Sequence, residues 1–548
     1  MCQRWRQIVL TSPLGLNLRL YFTYGKPVLK ALGRWLVLPI VVQYGGVPNL
    51  DPPVPEDDDN IITALKESGR VSTISLTVTS SLVGKLSAIS ESFTELEELS
   101  LLSQDTMELT LPSTFRWGPR LRTLHSTRIA FPSFPRLLLP CQELVDLQLH
   151  EIPAAGYFPP EAFANALSDM NHLQVLSFHF LSFPRRRSYL PLPPLPGELI
   201  LLPALTRLKY RGISKYLDSL AARIDAPRLG DIDITFFSQP TMDASQLGRF
   251  IERIGLQAPL SRADVQVSVH AISISFTNTS TSSLLQLQIS CKQLDWQLSC
   301  MAQVCSQFSP FLFGIEELSI NTTETSNGLD GLDGEQWLDL VLPFGGAQRF
   351  RMASDLATHI LRASPPANGG NATVLSALRH LRVEGSMVMN ESLWDAFQSS
   401  RRLSGHPVEL QVVCYICNNS FAQLQGLKIH LIVRHAHRVM CSYCDDFEPK
   451  RGQRDLFLKH LRNKHLEVAR NEGLASSGVI HAPELRRLVD QHTSLRVSDI
   501  ITPSPTRLPS LMWPIPRPDS SMRHRSPPMR PSSPSVFRHD TDDKYPGV

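Results

Sequence analysis

Through the middle of the chain, apolar residues recur in one figure: an apolar position, two residues, a second apolar position, one residue, a third. It stands at Val71/Ile74/Leu76, Leu96/Leu99/Leu101, Leu144/Leu147/Leu149, Leu173/Leu176/Phe178, Leu205/Leu208/Tyr210 and Leu229/Ile232/Ile234, and at Leu121/Leu124 with its third place not apolar. The first four copies, counting Leu121, start 25, 25 and 23 residues apart. Later gaps widen, partly through the Pro-rich insert Pro184 to Pro203. Weaker copies stand at Leu284/Leu287/Ile289, Ile315/Leu318/Ile320 and Leu378/Leu381/Val383. The second and third positions alternate as a strand with one buried face does. Helical stretches precede several copies: Ile61 to Ser68, Pro160 to Met170 and Ser214 to Ile224. The acidic stretch Asp51 to Asp59, bounded by prolines, reads as a solvated turn.

A recurrence of this length and spacing is a leucine-rich repeat written loosely. Each helix–strand unit is too small to hide its own apolar face, so it has to stack on its neighbours. The expected fold is α/β: an irregular leucine-rich-repeat solenoid over residues 21–395 with a strand-lined concave face for a protein partner. No Asn ladder position is evident, so the repeats are degenerate, and an unrelated Leu-rich α/β domain is the alternative. The loops Ala367 to Thr373 and Gly328 to Gly334 carry neither a phosphate cradle nor a complete calcium loop.

The chemistry sits near the C-terminal end. Cys414 and Cys417 are followed, twelve residues on, by His430 and then His435; Cys441 and Cys444 are followed, fifteen residues on, by His460 and then His465. Two thiolates on a tight turn facing two imidazoles on a helix supply the tetrahedron that Zn2+ prefers. Phe421 and Leu427 stand between the first ligand pairs as an apolar plug. A module this small folds only when metal and plug act together. In length and plug the first set resembles the Cys-Cys-His-His (C2H2-type) zinc finger, a ββα unit. The second set departs from that pattern: its inner spacing is long, and Arg451 occupies the plug aromatic's place, with Phe447 and Phe457 as replacements. His437 is a possible stand-in ligand or a solvated linker residue. The tandem module is expected over residues 408–470.

Composition narrows the class. The 548 residues are 42% hydrophobic and 19% charged with net charge +3, a globular balance with room for two to four domains. Cys2, Cys141, Cys291, Cys300 and Cys305 show no pairing pattern and read as reduced thiols of an intracellular protein, nucleus and cytoplasm not distinguished. The apolar run Trp35 to Val42 is far short of a membrane span, and no leader pattern opens the chain. Pro483 to His492 suits one more helix. Residues 471–548 read as a mostly disordered Pro/Ser/Arg-rich tail: 11 of the 42 prolines fall in its last 48 residues. Its Thr502, Ser504, Ser526 and Ser533 each precede proline. No nucleophile triad, nucleotide loop or His-Glu-x-x-His is present, and four protein ligands leave zinc no open position, so no enzyme is expected.

The opening residues 1–20, with Cys2, Trp5, Arg6, Ser12 and Pro13, resemble the last helix of an F-box, or else form an ordinary amphipathic helix with Trp5 and Leu10 inward. The Leu-Pro stretch by which that family grips the Skp-type adaptor is missing. A partial F-box helix, irregular leucine-rich repeats and a C-terminal finger together resemble the expanded F-box-like proteins of mushroom-forming fungi. The resemblance implies substrate capture for a cullin ubiquitin ligase. Between Cys414 and His465, nine Lys/Arg against four Asp/Glu would suit phosphate contacts. The base-reading positions, however, fall on Gln423, Gly426 and Ile429, and in the second set on Gln453, Leu456 and Lys459. Gly426 reaches nothing, which weakens a nucleic-acid-binding regulator. The expectation is a zinc-binding intracellular interaction protein, with the ligase receptor and the nucleic-acid regulator as alternatives.

Overall fold

The computed structural model describes most of residues 19–423, with breaks at 24–27, 45–54, 183–198, 255–259, 279–283, 323–333, 364–374 and 386–390 and a few single positions. It also describes 3–4, 426–427, 430, 440–441 and 493–494. The F-box-like pattern of residues 5–18, the Pro-rich insert from 184 to 198, the loops at 328–333 and 367–373 and the whole of 495–548 lie outside the described residues.

Seventeen strands form one sheet: β1 (Leu20–Phe22), β2 (Ile40–Tyr44), β3 (Val71–Val78), β4 (Glu98–Ser103), β5 (Thr123–Thr127), β6 (Asp146–Ile152), β7 (Val175–Phe180), β8 (Arg207–Gly212), β9 (Asp231–Phe237), β10 (Arg262–Val267), β11 (Ala271–Thr277), β12 (Leu284–Ser290), β13 (Glu317–Thr322), β14 (Arg349–Ala353), β15 (His380–Gly385), β16 (Glu409–Cys414) and β17 (Ser420–Phe421). They pair in chain order from β1 to β9 and again from β13 to β17. Between these runs the order is β9–β12–β11–β10–β13. Only β11 and β17 run antiparallel to their neighbours, so the fold is mixed α/β with a large, mostly parallel sheet.

The apolar figure of the sequence becomes two rows across this sheet. Ile74, Leu99, Leu124, Leu147, Leu176, Leu208 and Ile232 stand side by side, and Leu285 continues the row where Leu287 was expected, so the weak copy at 284 slips by two residues. Leu76, Leu101, Ser126, Leu149, Phe178, Tyr210, Ile234 and Leu287 form the next row. All are buried. One backbone contact repeats with the units: the carbonyls of Glu97, Arg122, Val145, Gln174 and Thr206 each accept two consecutive N–H groups from the next unit. This is how each unit satisfies the polar backbone that its burial would otherwise orphan.

Helices return the chain between parallel strands. They include α1 (Val28–Arg34), α2 (Pro55–Leu65), α3 (Ser80–Leu86), α4 (Phe134–Leu138), α5 (Pro160–Leu167), α6 (Ser214–Ala221), α7 (Ser245–Ile254), α8 (Leu294–Gln307), α9 (Gly334–Val341), α10 (Ser354–Ala363) and α11 (Glu391–Leu403). Their apolar faces and the strand rows form one continuous core. The opposite sheet face keeps half-exposed polar residues, as in β9, where Asp231, Asp233 and Thr235 alternate with buried Ile232, Ile234 and Phe236. Among the described residues no helix is long and apolar enough to cross a membrane.

The acidic stretch corrects its expectation. Residues 55–59 are the first turns of α2, not a solvated turn, and Asp57 and Asp58 are buried. Pro55 suits a first helical position, and the carboxylates that follow complement the N-terminal end of the helix dipole. Asp58 also accepts from Ser81 at 2.8 Å, and Lys85 reaches Asp59 at 2.8 Å. The hairpin β10–β11 fills the widened gap between the copies at 229 and 284.

Candidate metal centre

β16 is the last parallel strand of the sheet, and Cys414 is its final residue. The chain then turns back. The Cys414 N–H donates to the Asn419 carbonyl at 2.8 Å, and the Asn418 N–H donates to the Cys414 carbonyl at 2.8 Å. Asn418 takes a left-handed φ of 59°, a conformation Asn tolerates better than most side chains. The turn delivers β17, which pairs Phe421 with Val412 and Ser420 with Val413. Gly426, Leu427 and His430 have helical backbone. β16 and β17, followed by helical residues, therefore grow directly from the sheet.

Three of the predicted ligands meet here. One ligand atom from each of Cys414, Cys417 and His430 lies within 4.8 Å of the other two. Cys417 Sγ and His430 Nε2 are 3.0 Å apart, near the ~3.6 Å edge of a tetrahedron with ordinary zinc–sulfur and zinc–nitrogen distances. Cys414 is buried, whereas Cys417 is exposed. The Phe421 and His430 rings lie 4.8 Å apart, centroid to centroid. Leu427 is 2% exposed and belongs to the continuous core, against which Phe421 also packs. The apolar plug is thus joined to the core of the sheet. Two sulfurs and one imidazole nitrogen make a soft to borderline donor set able to hold a transition-metal ion.

The other predicted ligands are not brought into this description. His435, Cys444, His460 and His465 lie outside the described residues, as does the stand-in His437. Cys441 lies on a two-residue strand paired with Thr493–Ser494, and nothing is described of its side chain. Of the five remaining cysteines, Cys141, Cys291, Cys300 and Cys305 are unbridged, and burial pushes the thiols of Cys141 and Cys305 up to about 12. Cys141 and Cys305 are core groups, not reactive thiolates.

A second polar constellation was missed in the sequence. On the half-exposed sheet face, His125 Nε2 lies 3.0 Å from Asp146, and the Gln148 amide donates to both Asp146 oxygens at 3.0 Å. Burial pushes the Asp146 carboxyl up, but the bonds from His125 and Gln148 and the charges of His125 and Arg207 bring it below its ordinary value. His150 and His179 stand next in line, their rings 4.5 Å apart and nearly perpendicular. Burial holds His150 below the ordinary imidazole range, and burial followed by His150, Arg211 and Lys209 takes His179 down to about 4. The signal was present: these residues occupy the polar places beside or just after the registered apolar ones. It carries no motif spacing, so only strand pairing reveals it. No family model matches the chain, and no curated protein matches it either.

Proposed function

We propose that this chain is a zinc-binding interaction protein: a leucine-rich-repeat solenoid whose half-exposed strand face docks a protein partner, closed at its C-terminal end by a C2H2-type zinc module. The observation that carries the reading is the convergence of Cys414, Cys417 and His430 within 4.8 Å at the end of the last parallel strand. In this reading His435 is the fourth ligand of a structural zinc, and Cys441, Cys444, His460 and His465 bind a second. The repeated apolar rows support the solenoid, because units that expose identical edges and bury identical faces are stable only when stacked.

Zinc content of the full-length chain tests it, since a fragment starting at residue 408 would strip β16 of its partner β15. The expected result is two zinc per chain, falling to one in Cys414→Ser and to one in His460→Ala. A full-length chain that folds and retains no zinc overturns the metal reading. One zinc, kept in His460→Ala, removes the second site alone.

A further inference from the structure

Near the C-terminal ends of four consecutive strands, nitrogen donors gather on either side of a register shift between β6 and β7. Thr127 of β5 pairs with His150 of β6, and His179 of β7 pairs with Arg211 of β8. Together with Glu151, Phe180 and Leu181 they line a hollow of about 350 Å3 on the half-exposed face. The neighbouring charges are largely spoken for. Glu151 is engaged by Arg128, Asp146 by His125 and Gln148, and Lys209 lies 4.0 Å from Asp233. His150 has a long 3.4 Å contact to Gln148 and His179 one of 3.4 Å to Ser177. Arg211 is exposed, its guanidinium 5.8 Å from the Phe237 ring, and among the described residues it has no carboxylate partner.

We propose that this hollow receives the phosphate of a phosphorylated serine or threonine on an extended segment of the docked protein partner, with His150, His179 and Arg211 as its donors. The inference rests on the docking-face reading above. Three donor groups on three adjacent strands match an anion with three acceptor oxygens and nearly two charges better than a carboxylate with two oxygens. Leu181, 53% exposed, offers an apolar rim for the residue beside the phosphate. Burial, His150, Arg211 and Lys209 disfavour the charged His179 ring and Glu151 favours it, while burial, His125 and Lys209 disfavour the charged His150 ring and Glu151 and Asp146 favour it. A bound dianion reverses that balance, so both imidazoles should titrate higher in the complex than in the free chain.

The test uses the full-length chain with 13C-labelled histidine and three probes in phosphate-free buffer: N-acetylphosphoserine amide, N-acetylglutamate amide and sulfate. The two imidazole signals identified by their loss in His150→Gln and His179→Gln should shift with the phosphoserine probe and titrate about one pH unit higher. Arg211→Leu, at an exposed position, should weaken that binding at least fivefold, and it carries the test alone if either histidine variant fails to fold. Absence of a shift at 10 mM probe overturns the proposal, as does unchanged binding in Arg211→Leu or equal binding of the glutamate probe. A photo-crosslinker at Gln286, on the same face two strands beyond Arg211, reports the docking face separately. Crosslinking without a phosphoserine response removes the hollow and leaves the face; loss of crosslinking at every face position removes the face itself.

Discussion

Ser126 is the residue at which the repeat breaks its own rule. It holds the third place of the copy that begins at Leu121, beside Leu101 and Leu149 in the buried row. Its hydroxyl is buried with no hydrogen-bond partner, and a void of about 10 Å3 adjoins it, lined by Ile129, Phe131, Phe134, Leu149, Ile152, Gly156 and Phe158. An unsatisfied buried hydroxyl costs about 1–3 kcal/mol. Ser126→Val removes it and fills the void with methyl groups suited to a strand. We expect an increase in unfolding free energy of about 1 kcal/mol, read as a higher urea midpoint at unchanged slope. Gly346 gives the opposite case. A Cβ there would lie 1.9 Å from the Phe313 carbonyl oxygen, a backbone atom that cannot swing away. Gly346→Ala should therefore lower stability by about 1–3 kcal/mol in the same assay. Gly84, on an exposed part of α3 with nothing within 4 Å of its added Cβ, is the control. Gly84→Ala should be neutral or stabilise by up to about 1 kcal/mol.

At the scale of the element, β16 decides how sheet and metal module depend on one another. It pairs with β15 on one side and β17 on the other, and its last residue, Cys414, belongs to the candidate metal cluster. On the proposed zinc reading, order in the hairpin, burial of Leu427 and metal occupancy form one coupled equilibrium. Stripping metal from the full chain with a strong chelator should raise amide exchange in β16 and β17 and leave β6 to β9 as protected as before. Protection of β17 that survives removal of the metal would show that packing alone orders the hairpin. The cluster of Cys414, Cys417 and His430 and the inward place of Leu427 were legible in the sequence because metal chemistry leaves few spacings to choose from. Seven apolar copies were legible because one face of each strand is buried. The missed strands have equally clear causes. β2 precedes the first copy, and its leading apolar residue Ile40, which pairs with Val71 across a register shift, stands two positions before Val42 where the figure asks for three, while β10–β11 alternates correctly but pairs antiparallel. Periodicity reports which residues face inward and is silent on strand direction. The buried carboxylates of α2 were misread because proline and acidic residues suit a turn and a helix start equally.

For the whole molecule, a single core under one open polar face makes acid stability a property of that face. His179 titrates at about 4 when folded, against 6.5 ordinarily. A histidine lowered in this way is charged more readily in the unfolded chain. Its contribution is full above pH 6.5 and declines as pH falls toward 4, where the unfolded chain binds a proton that the folded one refuses. His150, also lowered, acts in the same direction. Asp146, lowered below 3.8, holds its contribution through this window and loses it only at more acidic pH. Asp218 and Asp233 oppose the trend, since burial raises both carboxyls, although Asp218 still accepts N–H bonds from Gln246 and Leu247 at 2.7 and 3.0 Å. The shift in His179 corresponds to roughly 1–2 kcal/mol between pH 7 and pH 5. Loss of metal in acid would act on the parent and the variant alike, so their difference isolates the imidazole. Urea midpoints at pH 7 and pH 5 in phosphate-free buffer should therefore fall further for the parent chain than for His179→Gln. Equal falls would mean that the His179 ring reaches water freely enough to protonate without cost.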